Sequence, residues 1–262
     1  MWKWEAAGQP KAVVALVHNA YEDHNRYAWL IQKLRNSGFH VVTGDLPGHG
    51  ADADRKIHNE SFDKYEKYVK KLMTVGLADN LPLFVIGHGL GATLVMHALQ
   101  RGKFECAGYI FSSPWLSLLQ HPPKFSSVLT KWTSSMKLNH EIGIEMLTRN
   151  VELYVEAGEN RTYNPIVTAT WYKELQTFMK TVVHHEGAID DVPILVHTAG
   201  EDKIADITFV KKWLLHQNLS EFQYKEWKWL YHDVYQEPER EEVYLYTEAF
   251  MHNVLRSLGY VV

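Results

Sequence analysis

Five short runs of the chain are almost continuously apolar: Ala12–Val17, Phe39–Thr43, Leu83–Ile86, Gly108–Ser112 and Ile194–Thr198. Most of them break off at Gly, Asp or Ser. A strand covered on one face alternates apolar and polar residues, so continuous runs of this length predict strands buried on both faces. Tyr224–Trp229 alternates and predicts a sixth strand with one face less covered. Between these runs apolar residues recur at helical spacing in Tyr27–Ser37, Ser61–Val75, Leu90–Arg101, Ile207–His216 and Glu239–Leu258, the last stopped by Gly259. Strands alternating with helices predict an α/β fold, with a mostly parallel sheet and helices on both faces.

Residues 115–191 break the alternation. They hold Trp115, Trp132, Trp171 and Tyr172 on an amphipathic pattern, with Pro122, Pro123 and Pro165 as breakers and no clear buried strand. A stretch of this length between two sheet strands is too long for a plain connection. It is expected to be a helical cap over the C-terminal edge of the sheet, where open α/β folds bind ligands. The expected division is therefore a core of 1–114 and 192–262, with a cap of 115–191.

Composition narrows the function classes. At 46% hydrophobic, the chain of 262 residues can bury a sizeable core. A net charge of −4 without a long basic run makes nucleic acid a poor partner. The single cysteine, Cys106, lies in an apolar stretch and excludes an internal disulfide, which suits a reducing cytoplasmic setting. No stretch approaches the length of a transmembrane helix, and the first residues lack the apolar core of a signal peptide. The fifteen histidines fall in no HExxH or Cys/His ligand spacing, and the adjacent His184 and His185 point in different directions, so no metal is expected.

The chemistry-bearing stretch is Gly87-His88-Gly89-Leu90-Gly91, between the third strand and its helix. At this place a serine hydrolase reads Gly-x-Ser-x-Gly, with the nucleophile on a sharp strand-to-helix turn. Gly89 holds the nucleophile position and brings no Oγ. Two later loops complete the order nucleophile, acid, histidine. Asp202 follows the last long apolar strand in Gly200-Glu201-Asp202, and His232 follows the sixth. Asp202 is expected to hold His232 in one tautomer. Asp206 is the alternative acid, but it is better placed to cap the helix starting at Ile207. Neither Thr93, pointing along its helix, nor Ser112 and Ser113, at the end of another strand, replaces the missing serine.

After the first strand the chain reads His18-Asn19-Ala20-Tyr21-Glu22, with Arg26-Tyr27 following. This is similar to the His-Gly-Ala-x-Glu-x-x-x-Arg-Tyr stretch of α/β-hydrolases of the monoacylglycerol lipase and lysophospholipase group, with Asn19 in place of the glycine. Gly44-Asp45-Leu46-Pro47-Gly48-His49-Gly50 and Tyr231-His232 with Glu237-Pro238-Glu239-Arg240 resemble bacterial lysophospholipase-like members. The likeness spans nearly the whole chain and is weakest in the cap, where Leu147-Thr148-Arg149-Asn150 is the main familiar stretch. It implies an α/β-hydrolase fold, a helical cap and no cofactor. It also implies an oxyanion site built from the backbone N–H groups of Ala20 and Leu90, with Asn19 and His88 beside it. Asn is the least costly non-glycine residue if that position is left-handed.

The expected function is that of a lipid-ester hydrolase scaffold, for a monoacylglycerol- or lysophospholipid-type ester, inactive for want of its serine. The alternative is a non-catalytic protein binding an acyl lipid or a partner; a peptidase or lyase use of the fold is a third reading. Alanine is the usual laboratory knockout and Asn19 is a second departure in the same site, so Gly89 is read as the natural residue. The expected partners are an acyl-chain lipid or its ester, with peripheral membrane contact through the cap.

Overall fold

The computed structural model describes residues 1–50, 57–122, 135–153, 163–185 and 189–262. Trp132 and Pro123 lie outside them. Seven strands form the main sheet: β1 (Trp2–Trp4), β2 (Ala12–Val17), β3 (Phe39–Thr43), β4 (Leu83–His88), β5 (Gly108–Ser112), β8 (Ile194–Ala199) and β9 (Phe222–Trp227). Their spatial order is β1-β3-β2-β4-β5-β8-β9. Only β1 runs antiparallel, with Trp2 opposite Thr43.

The apolar runs are explained by burial on both faces. Alternate residues Val13, Ala15 and Val17 of β2, Val85 of β4 and Phe111 of β5 face one core. There they meet α2 (Phe62–Leu77), α3 (Leu90–Arg101), α5 (Ala169–Val183) and α6 (Ile207–His216). The intervening residues Val14, Leu16, Ile86, Ile110 and Leu195 face a second core under α1 (Ala28–Asn36) and α7 (Arg240–Ser257). Leu16, Ile86, Ile110 and Leu195 are fully buried. At roughly 1.5–3 kcal/mol per buried aliphatic side chain, these two layers supply the main driving force of folding.

Two sheet features differ from the expectation. β1 is only three residues long and partly exposed, so it carries no readable alternation. β9 begins two residues before the predicted Tyr224–Trp229, with Phe222 opposite Ile194, and ends two residues early, where the Trp227 carbonyl accepts from the Gly200 N–H (2.8 Å) and the Leu230 N–H (3.1 Å) as the chain turns. The insertion between β5 and β8 is also not purely helical. Besides α4 (Ile144–Leu147) and α5, it contains β6 (Lys137–Asn139) and β7 (Ile166–Thr168), an antiparallel pair with Leu138 opposite Val167. Three-residue strands are too short to show a period of two. The His58 N–H donates to the Ile166 carbonyl (2.9 Å) and the Thr168 N–H to the His58 carbonyl (3.1 Å), which ties the insertion to the loop before α2. The Trp171 indole N–H donates to the Tyr65 hydroxyl (2.9 Å) from α5 to α2. Among the described residues no helix is long and apolar enough to cross a membrane.

The strand order reverses between β2 and β4, and their C-terminal ends open at that switch point. Asn19 follows β2, Gly89 follows β4, Asp202 follows β8 and His232 follows β9. Parallel strands thus bring four positions far apart in sequence to one rim.

Several histidines are locked neutral inside this frame. Burial pushes His58 and His140 down to about 4, and burial with Lys225 nearby pushes His197 down to about 3. His197 accepts from the Trp227 indole at Nδ1 (3.0 Å) and pairs with Thr247 Oγ1 through Nε2 (2.9 Å). Each folded pKa lies below the unfolded value near 6.5, so the unfolded chain takes up protons first as the pH falls. The stabilisation is complete above about pH 7 and is lost progressively from about 6.5 towards 4. Urea midpoints should be flat from pH 7 to 8 and fall below, with roughly 2 kcal/mol lost per histidine at pH 5. A midpoint unchanged between pH 7 and pH 5 would show that these rings are not held neutral.

Candidate active site

Gly89 is the cap residue of α3, with φ 53° and ψ −119°. Its N–H donates to the Ser112 carbonyl (2.9 Å), and its carbonyl accepts from the Trp115 N–H (3.3 Å). The positive φ suits glycine. Gly91 is required for a second reason: a Cβ there would stand 2.4 Å from the His18 and Val17 carbonyl oxygens, so its absence lets α3 start against the end of β2.

Asp202 and His232 meet. His232 Nδ1 lies 2.8 Å from Asp202 Oδ2, with both side chains buried. Asp202 Oδ1 accepts from the backbone N–H groups of Ile204 (2.8 Å) and Ala205 (2.9 Å), which orients the carboxylate. Asp206 instead caps α6, accepting from the Thr208 N–H at 3.0 Å. Thr93 points along α3, its hydroxyl bonded to the Trp115 carbonyl (2.9 Å). Ser113 donates to the His232 carbonyl (2.7 Å), and Ser112 Oγ lies 3.0 Å from His88 Nδ1. Both serines thus serve the backbone and a ring away from the reacting position.

The backbone donors of Ala20 and Leu90 do converge, but on a group of the chain itself. Asn19 Oδ1 accepts from the Ala20 N–H at 2.7 Å and from the Leu90 N–H at 2.9 Å. That bonding fixes the amide orientation, leaving Nδ2 as donor 3.3 Å from His232 Nε2. The Asn19 carboxamide therefore sits as a substrate carbonyl would, with its oxygen on two backbone N–H groups and its nitrogen towards the imidazole. The position is incompatible with a side chain at residue 89: a Cβ on Gly89 would be 2.0 Å from Asn19 Oδ1 and 2.2 Å from its Cγ. The condition under which Asn would be favoured by its backbone is not met at position 19. Asn19 is not among the positive-φ residues; Tyr21, two positions on, is, at φ 72°. Asn19 is thus explained by its side chain, not by its backbone.

A second donor faces the same imidazole nitrogen. The Trp115 indole N–H points at His232 Nε2 from 3.0 Å, where a serine hydroxyl would otherwise donate. Burial opposes the charge of His232, but Asp202 beside Nδ1, with Asp233 and Glu22 farther off, raises its affinity for a proton. Two N–H groups at contact distance act against a proton on Nε2, which would leave donor against donor. The donors decide the state: the ring is neutral, with its proton on Nδ1 towards Asp202.

Behind the site lies a buried charged chain that sequence reading left out. Glu22 Oε1 accepts from the Asn19 N–H (2.9 Å) and from the Tyr27 hydroxyl (2.5 Å). Arg26 pairs with Glu22 (2.8 Å) and with Asp233 (2.6 Å), and Asp233 Oδ1 meets His88 Nε2 at 2.7 Å. Burial alone would raise the Asp233 pKa, yet His88 and Arg26 hold it well below the usual carboxylate range. His88 therefore engages Ser112 and Asp233 with its two ring nitrogens, rather than the Ala20 and Leu90 N–H groups beside which it was expected, and braces the loop carrying His232. The signal for Asp233 was its place next to His232, and for Glu22 and Arg26 their spacing of four in the familiar stretch. Another link joins two familiar stretches: Arg149 of the insertion pairs with Glu237 at 2.5 Å and also with Glu239. His88, His232 and Asp233 bring potential metal-ligand atoms within 4.8 Å of one another. The bonds just described already engage each of them, so the group does not fit a metal centre.

The model of the family described as "Serine aminopeptidase, S33" matches residues 8–239. The chain belongs to this α/β-hydrolase family. It is 36% identical over 256 residues to phospholipase YtpA of Bacillus subtilis (strain 168), covering 95% of this chain and 98% of the relative. A monoglyceride lipase homolog of monkeypox virus is 23% identical, over 82% of this chain and 79% of its own length. The fold is shared with the monoacylglycerol lipase of Paleococcus ferrophilus, at TM-score 0.81 and 22% identity, over 97% of this chain and 98% of that one. It is also shared with a soluble variant of the Saccharomyces cerevisiae monoglyceride lipase bound to a substrate analog, at TM-score 0.80 and 18% identity, over 96% and 90% of the two chains. The chain is thus an α/β-hydrolase of the monoacylglycerol lipase and lysophospholipase group.

In this α/β-hydrolase, residues 19 and 89 compete for one space, and their substitutions should be strongly coupled. Gly89→Ser alone strains a positive-φ backbone, at about 1–3 kcal/mol, and must also displace the Asn19 carboxamide from its bonds. Its melting temperature should fall by several degrees, at about 2–4 °C per kcal/mol for a chain of this size. Asn19→Gly in the same chain should recover part of the loss, giving a coupling of roughly 1–3 kcal/mol in a double-mutant cycle. Additive effects in thermal or urea unfolding would show that Asn19 does not occupy the space beside Gly89.

Proposed function

We propose that this chain is a non-hydrolytic member of its group, which binds an acyl lipid without cleaving it. The scaffold is lipase- and esterase-type. What carries the non-hydrolytic reading is the Asn19 carboxamide, whose oxygen takes both backbone donors while Gly89 leaves no nucleophile. An acyl-enzyme needs a hydroxyl at residue 89. Loss of a triad nucleophile leaves about 10³–10⁴-fold over water in a well-studied serine protease, much of it owed to an oxyanion hole and binding. Here that hole is filled. Direct activation of water by His232 is disfavoured as well, because Trp115 and Asn19 hold its Nε2.

The lipid side of the reading is supported by the relatives' names, which include a phospholipase and monoglyceride lipases. The aromatic character of the insertion agrees with it. Trp115 and Trp171 lie buried against Tyr21, with ring centroids 5.9 and 6.0 Å away. We read residues 115–191 as the cap, with Asp202 and His232 as the retained acid and base of an ancestral triad and Gly89 as a natural replacement.

The chain should take no fluorophosphonate label and should leave p-nitrophenyl and monoacylglycerol esters intact. Gly89→Ser with Asn19→Gly should gain both labelling and turnover, and His232→Ala in that background should abolish the turnover. Medium- and long-chain monoacylglycerols or lysophospholipids should raise the melting temperature of the unaltered chain, with about 2.7 kcal/mol at a hundredfold excess over Kd. Serine labelling of the unaltered chain would overturn the non-hydrolytic reading. Thermal shifts indifferent to acyl-chain length would overturn the lipid one.

A further inference from the structure

A cleft of about 460 Å³ opens between α5 of the insertion and the core helices α2 and α3. It is lined by none of Gly89, Asn19 or His232, so it is a separate place from the site above. Its size is within the range of small-molecule pockets. The buried rings of Phe62, Phe178 and His97 contribute to its lining. Phe62 and Phe178 lie 4.8 Å apart between centroids, and His97 lies 4.5 Å from Phe178. Three rings clustered in one lining make a surface for an apolar or aromatic body.

The charges of the lining are asymmetric. Asp63, from the first turn of α2, and Glu174, from α5, both line the cleft, one on each of two flanking helices. Lys173 supplies the cleft's one ammonium group. Among the described residues none of these three takes part in an ion pair within 4.0 Å, so within the lining the carboxylates outnumber the ammonium group by one. Burial lowers the His97 pKa, so that ring adds no compensating charge at neutral pH. Carboxylates on both flanking helices favour a cation between them, and aromatic faces attract cations through their quadrupoles.

We propose that this cleft is a binding site for an organic ammonium ion carrying an apolar ring or chain. The ring lies on Phe62 and Phe178, and the ammonium group lies between Asp63 and Glu174. The occupant bridges the insertion and the core, because its walls belong to both. The site's lining also connects to the old active site through packed rings. Phe62 meets Trp171 at 5.7 Å, Trp171 meets Tyr21 at 6.0 Å, Tyr21 meets Trp115 at 5.9 Å and Trp115 meets His232 at 6.3 Å.

The test uses three probes with the same ring system: 2-(1-naphthyl)ethylammonium, the neutral 2-(1-naphthyl)ethanol and the anionic 1-naphthylacetate. Calorimetry on the full chain should find the cation binding at least tenfold tighter than the anion, with the alcohol between them. Asp63→Asn with Glu174→Gln changes two exposed side chains and should weaken the cation about tenfold while leaving the alcohol unchanged. Thr177→Trp, at an exposed position on the cleft wall, should abolish binding of all three. The proposal is overturned if the cation does not bind, if the anion binds as tightly, if the charge-neutral variant retains full affinity for the cation, or if filling the cleft leaves binding intact. These measurements read the cleft alone, whatever the fate of the lipid and ester experiments.

Discussion

One carboxamide organises the centre of this molecule. Asn19 Oδ1 takes the two backbone N–H groups of Ala20 and Leu90, and Nδ2 faces His232. Buried donors left without partners cost about 1–3 kcal/mol each, and this one side chain satisfies both. The same placement forbids a Cβ at residue 89. Gly89 and Asn19 are therefore two halves of one arrangement: the glycine makes room, and the asparagine fills it. The indole of Trp115 completes it by donating to the imidazole nitrogen that a serine would otherwise engage.

That arrangement rests on a buried ionic chain. Glu22 holds the Asn19 N–H, Arg26 joins Glu22 to Asp233, and Asp233 joins His88. Buried charges are costly unless each is paired and hydrogen-bonded, and these are paired end to end. The chain links the loops after β2, β4 and β9, so the rim holding Asn19, Gly89 and His232 is braced from behind. Arg149 adds a clasp from the insertion to the segment following His232. The molecule thus has a braced frame around Asn19, Gly89 and His232.

The central strands were legible because burial on both faces leaves continuous apolar runs, as in Ala12–Val17 and Leu83–Ile86. Asp202 and His232 were legible because each follows a strand in the required chain order, and they meet at 2.8 Å. The short strands β1, β6 and β7 were not, since three residues carry no period. Nor was the part played by Trp115. An indole in an aromatic-rich insertion reads as packing, and nothing local says that its N–H reaches a histidine more than a hundred residues away.

The sequence by itself determined the class of fold, the order of its longer elements and the absence of a side chain at residue 89, because burial periodicity and residue identity are local properties. Tertiary structure alone decided what fills the space beside Gly89. From the chain, Asn19 read as the least costly substitute for glycine if that position were left-handed; in the fold the positive φ belongs to Tyr21. Asn19 earns its place through contacts with Leu90 and His232, 71 and 213 residues away. Such contacts exist only once parallel strands carry their loops to one rim, so they leave no pattern along the chain.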